Sequence, residues 1–135
     1  MQYTALSIVA PNGERIAQGL KTIEVRSWQP ENLPIKNLMI VENQNYLLND
    51  GDTEMGWAVA LVDIESVHPW LPDEIEAASA SYWAEGYFAW VITNVRPFAE
   101  PIQVVAKRKL YLTELVWWGF FSSLIRLTIE HDLNL

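Results

Sequence analysis

Gly19-Leu20-Lys21-Thr22-Ile23-Glu24-Val25-Arg26-Ser27-Trp28 places a lysine, a glutamate and an arginine within six residues, just after a glycine. Ile23 and Val25 alternate with Thr22, Glu24 and Arg26, which predicts a β-strand over Thr22–Arg26. Side chains two apart on a strand share a face. Ile23 and Val25 then point to a core, and Glu24 and Arg26 share the other side with Thr22. Two readings of that charged side stand open: the floor of a cavity, or a Glu24–Arg26 bridge on a solvated surface. Taken alone, the strand marks a candidate site without naming what it binds.

Working outward, Tyr3–Val9 reads as a strand, and Pro11-Asn12-Gly13 opens a short helix through Gln18. Gly19 ends that helix, because the residue just past a helix end often needs positive φ. Leu38–Glu42 is a short apolar strand. Asn49-Asp50-Gly51-Asp52 is a turn by composition and lacks the ligand spacing of a calcium loop. Trp57–Val67 is a long strand that ends before Pro69–Pro72. Pro72, with Asp73 and Glu74 behind it, predicts a second helix reaching Gly86, with Ile75, Ala78 and Tyr82 on one side. Tyr87–Val95 is a strand interrupted at Pro97, and Ile102–Val105 and Lys107–Thr113 read as two more. Six or seven short strands with two helices predict an α+β fold, a small mixed β-barrel with helices packed outside it. No repeat or linker divides the chain.

The chain has 135 residues, half of them hydrophobic, which suits one domain with a real core. It has no cysteine, so disulfides, thiolate metal sites and cysteine nucleophiles are excluded. Neither a secretory leader pattern nor an apolar run of membrane-spanning length is visible, and a cytoplasmic setting is expected. The net charge of −8 excludes a broadly basic nucleic-acid-binding face. The charge is segregated, however. Between Asn37 and Val95 there is no Lys or Arg, and all the positive charge flanks this acidic middle. A local basic groove is compatible with that distribution. The run Leu115–Leu127 is apolar nearly all round a helical wheel. It predicts a buried C-terminal helix within an extension over residues 115–135 that caps the barrel. The next reading is a homodimer surface through Trp117–Leu127.

The residues Leu6-Ser7-Ile8, Pro11 and Gly19-x-Lys21-x-x-Glu24-x-Arg26-Ser27-Trp28 resemble the opening strand, helix and signature of the ASCH domain family, within the PUA-like superfamily. Gly56–Val67, Gly86–Asn94 and Pro101–Leu112 follow in the order and length that family would give. The resemblance covers residues 3–114 and implies a PUA-like barrel over 1–114 with a cleft beside the signature strand. Clefts of this kind are associated with RNA or nucleotide recognition in the superfamily. Carried over, Lys21, Glu24 and Arg26 would line the cleft, Trp28 and Asn43 would sit near it, and Lys107 to Lys109 would close one side. The chain departs from the pattern at Val105-Ala106-Lys107-Arg108, where many relatives have a glycine-bearing turn. The apolar tail beyond Leu115 is also outside that pattern.

Lys21 suits phosphate binding as a point charge, or work as a base or nucleophile if desolvated. Glu24 suits general acid–base work or the orientation of its two cationic neighbours. Arg26 suits bidentate recognition of a phosphate or base edge. Trp28 is the candidate stacking face, whereas Trp57, Trp83 and Trp90 are assigned to the core. Lys107 and Lys109 would share one face of a strand; the same run also reads as an edge-strand charge set. His68 and His131 have no zinc-ligand spacing, G-x-S-x-G is absent and the glycines are scattered, so no metal or cofactor is expected. The leading expectation is a domain that binds RNA or a nucleotide-like small molecule. The second is a hydrolase acting on a modified nucleoside or RNA, with Lys21 and Glu24 as catalytic residues. One branch of the family resembles an amidohydrolase of N4-acetylcytidine with a threonine three residues after the signature lysine. Glu24 stands there instead. The third expectation is a protein-interaction module working through the C-terminal helix.

Overall fold

The computed structural model describes residues 1–115 and the backbone of His131–Asp132. Its strands are β1 (Gln2–Val9), β2 (Ile23–Arg26), β3 (Ile35–Asn43), β4 (Glu54–Pro69), β5 (Phe88–Ala106), β6 (Leu110–Glu114) and β7 (His131–Asp132). The described helical elements are α1 (Asn12–Ala17) and a 3-10 turn at Pro72–Glu74. The strands form one mixed sheet in the order β2-β5-β4-β3-β1-β6-β7, with β1 parallel to β3 and the other pairs antiparallel. Three strands separate β2 from β1 in that order, yet the Arg26 guanidinium of β2 donates to the Ser7 carbonyl of β1 at 2.9 Å. The sheet therefore curls back toward itself, as the expected small β-barrel requires.

Leu6, Ile8, Ile16, Leu38, Ile40, Val62, Ile64, Trp90 and Ile92 fill the inside of the curl. Ala5, Met39, Val41, Ala58, Val104, Ala106 and Tyr111 form a second cluster. β3 supplies both, Leu38 and Ile40 to the first and Met39 and Val41 to the second, which explains its unbroken apolar run. The close approach of β4 to β3 depends on Gly56, where a Cβ would stand 2.7 Å from the Glu42 carbonyl oxygen. Gly19 has φ +78 and ends α1 as expected.

Four local expectations are corrected. β5 does not stop at Pro97. Ala58 pairs with Ile102 and Ala60 with Pro97, so Phe98 to Pro101 bulge out between paired residues and the strand resumes. A bulge is one of the few sheet positions that accepts proline. The helix expected from Pro72 to Gly86 ends after about one turn. Ser79 takes φ +54, the Ser79 N–H donates to the Glu76 carbonyl and the Ala80 N–H to the Ile75 carbonyl, both at 3.0 Å. This is a Schellman-type ending. The carbonyl that would extend the helix instead serves β2: Ala77 accepts from the N–H groups of Thr22 and Ile23, at 2.9 and 3.2 Å. Lys107 to Lys109 are not on a strand but in the turn before β6, with Lys109 at φ +56. Trp57 is 47% exposed rather than buried, because its neighbours Gly56 and Ala58 are the residues that face inward. Trp90 is fully buried, and Trp83 is partly buried beside Trp70. The C-terminal helix and the dimer surface expected over Trp117–Leu127 lie outside the described residues.

On β4, buried Asp63 organises two further irregularities. Its carboxylate accepts from the Asn37 backbone N–H at 3.0 Å, the Asn94 amide at 3.0 Å and Arg96 at 2.7 Å. Asn37 and Asn94 both take left-handed backbone conformations, with φ near +57 and +51. The Asn37 N–H and the Asn94 amide, with the charges of Arg96 and Lys36, outweigh burial and hold the Asp63 carboxyl below its usual range. Asp63→Ala would leave those donors without an acceptor, and we expect a loss of about 2 kcal/mol in urea unfolding. The loss should be fully present above the unfolded carboxyl value of about 3.9 and should shrink in stronger acid, as pH falls through the lower folded value.

Candidate functional site

β6 ends its pairing with β1 at Leu110 opposite Leu6, while β1 continues through Ser7, Ile8 and Val9. The chain leaves the ladder at Lys109, so the Lys107–Lys109 turn stands off from the end of β1. The space between them opens into a cavity of about 950 Å³. Its lining comes from β2, Ser27 and Trp28, the turn at 78–82, the ends of β1 and β3, the loop at 45–47 and the basic turn. Every residue singled out from the sequence lines this cavity: Lys21, Glu24, Arg26, Trp28, Asn43, Lys107 and Lys109.

At the floor, Glu24 is clamped between two cations. Its Oε1 lies 3.2 Å from Lys21 Nζ, and its Oε2 accepts from Arg26 Nε at 2.7 Å. Lys21 also donates to the Ala78 carbonyl, and Arg26 to the Ser7 carbonyl. Lys21 is 4% exposed and Glu24 7%, so the pair sits within the protein surface. Burial by itself would raise the Glu24 carboxyl, but the charges of Arg26 and Lys21 and their hydrogen bonds outweigh it and hold it below its ordinary value. Glu24 is therefore a carboxylate at neutral pH, and both its oxygens are engaged. The cluster carries one net positive charge. Arg26 commits its Nε to Glu24 and its Nη2 to the Ser7 carbonyl.

Of the two open readings of the signature strand, the structure favours the cavity floor: Glu24 and Arg26 do pair, but Glu24 is buried at a cavity and not on a solvated surface. Trp28 packs edge-on against Trp90, with ring centroids 5.0 Å apart, and its carbonyl accepts from Trp90 Nε1 at 3.2 Å. Asn43 is buried, and its amide donates to the Asn45 carbonyl at 2.7 Å, which fixes the start of the 44–53 loop. Glu54 fixes the same loop by accepting from the backbone N–H groups of Gln44 and Asn45. Arg108 pairs with Asp50 and joins this loop to the basic turn. Among the described residues, no group of His, Asp and Glu could hold a metal ion, and no helix is long and apolar enough to cross a membrane.

Sequence reasoning missed Ser7, Tyr46, Tyr82 and Tyr87, which also line the cavity. They come from a strand and two separate connections, so no spacing rule joins them. The one signal for Ser7 was its place between Leu6 and Ile8.

The family model for the ASCH domain matches residues 6–102, and the chain belongs to the ASCH domain family. ASCH domains are PUA-like domains with a suggested role in binding RNA. No curated protein matched the chain.

Proposed function

We propose that this ASCH domain binds RNA or a nucleotide-like ligand in the cleft beside β2. The observation that carries this reading is the single cavity joining the buried Lys21–Glu24–Arg26 cluster to the basic turn Lys107–Lys109. Glu24 acts as the clamp that fixes the two cations. Arg26 offers a planar donor to a phosphate or base edge, and Lys21 adds a fixed positive charge. Lys107 and Lys109 supply a second cationic region at the rim. On a protein of net charge −8, this arrangement confines anion binding to one place.

The test is a titration of the full chain with short single-stranded RNA and with nucleoside monophosphates at several salt concentrations. Arg26→Ala and Lys21→Met should each weaken binding about tenfold or more, the usual scale for a charged hydrogen bond. Lys107→Ala with Lys109→Ala should flatten the salt dependence for RNA by up to about 1.4 in log–log slope, at about 0.7 for each phosphate that is no longer neutralised. Full affinity in both Arg26→Ala and the double rim variant would sink the reading.

A further inference from the structure

We infer that Tyr46 and Tyr82 are the base-stacking platforms of this cleft, and that it takes an unpaired nucleobase, as a single strand or a free nucleotide, rather than a duplex. The inference rests on the reading of the cleft as a nucleotide site and adds what part of the ligand is recognised. Among the described residues, four aromatic side chains are exposed: Tyr46 at 76%, Tyr82 at 73%, Trp57 at 47% and Tyr87 at 41%. All but Trp57 line this one cavity. Scattered exposed apolar side chains need no explanation, but a concentration of rings at one mouth does.

The two most exposed rings reach the cavity from two separate loops, each on held backbone. Tyr46 follows Gln44 and Asn45, whose N–H groups are fixed by Glu54. Tyr82 follows the turn secured by Lys21 on the Ala78 carbonyl and by Arg15 Nε on Ser79 Oγ at 3.1 Å. A ring on fixed backbone loses little conformational freedom when a ligand stacks on it. Trp28, the stacking face expected from the sequence, lines the cavity too, but its ring is also packed on Trp90 and the core. The chemistry of the cavity is therefore divided: cations at the floor and basic turn for phosphate or a base edge, and neutral rings at the mouth for a base face. Bases stacked within a duplex do not offer that face, whereas single strands and free nucleotides do.

The test compares binding of a short single-stranded RNA, the same strand with abasic sites, a hairpin duplex and a nucleoside monophosphate. The proteins are wild type, Tyr46→Ala with Tyr82→Ala, and Tyr46→Phe with Tyr82→Phe. Both positions are exposed, so the variants should fold, which circular dichroism checks. The alanine pair should weaken the base-bearing strand by about ten- to a hundredfold and leave the abasic strand unchanged, while the phenylalanine pair keeps wild-type affinity. The duplex should bind more weakly than the single strand. Wild-type affinity in the alanine pair, or equal binding of abasic and base-bearing strands, overturns this inference alone. Wild type that binds none of the four probes overturns the nucleotide reading together with it.

Discussion

Glu24→Ala is expected to lower the unfolding free energy by about 3–5 kcal/mol, the usual cost of removing one partner from a buried ion pair. The carboxylate sits between Lys21 and Arg26, and its removal leaves the 4%-exposed Lys21 ammonium with only the Ala78 carbonyl among its described partners. Arg26 would lose its Nε partner, and the hydrogen bond from β2 to the Ser7 carbonyl would loosen. In thermal unfolding this corresponds to a drop of about 10 °C or more for a domain of this size. The pH dependence separates this from a packing defect. The folded-state carboxyl is held below its ordinary value, so its contribution is fully present above the unfolded value of about 4.3. That contribution is lost as pH falls through the folded value. The difference between wild type and Glu24→Ala should be largest near neutral pH and close in acid. A difference that stays constant with pH would mean that Glu24 acts through packing alone.

Trp90→Ala should cost a similar amount, about 3–5 kcal/mol, for a different reason. Trp90 is fully buried at the centre of the inner core and pairs with Glu24 in the β2–β5 ladder. Its indole N–H holds the Trp28 carbonyl and its ring supports the Trp28 ring. Truncation would open a cavity in the core and unseat one wall of the cleft. Urea unfolding should show the loss, with no dependence on pH between about 5 and 8. Trp90→Phe should recover much of the stability, because most of the buried volume returns, but not the N–H to Trp28. Ligand affinity in that variant should fall even where the fold is intact.

The signature strand was readable because its information is local. Period-two alternation placed Glu24 beside Arg26, and Gly19 marked the end of α1. The resemblance to the ASCH family extended that strand to Asn43 and to Lys107–Lys109, which no local rule links. What the sequence hid lies in long-range geometry. The Pro72–Gly86 segment has the opening of a helix, but the N–H groups of β2 take its Ala77 carbonyl and Lys21 takes that of Ala78. Pro97 looks like a strand terminator until the residues Pro97–Pro101 are seen set against Val59 and Ala60 of β4. Trp57 reads as core by residue type, yet it sits on the outward side of a stretch whose inward positions are Gly56, Ala58 and Ala60. Tyr46 and Tyr82 reach the cleft from loops whose paths depend on Glu54 and on the turn at Ser79.

Binding in the cleft can be read residue by residue from nitrogen–proton correlation spectra of the full chain, labelled with nitrogen-15, as a short single-stranded RNA is titrated in. The shifted amides should cluster in 21–28, 43–47 and 107–109, with the Trp28 indole among them. An unchanged spectrum at saturating RNA, or shifts centred on Trp57 and Phe98, which line a different hollow, would overturn the cleft as the binding site.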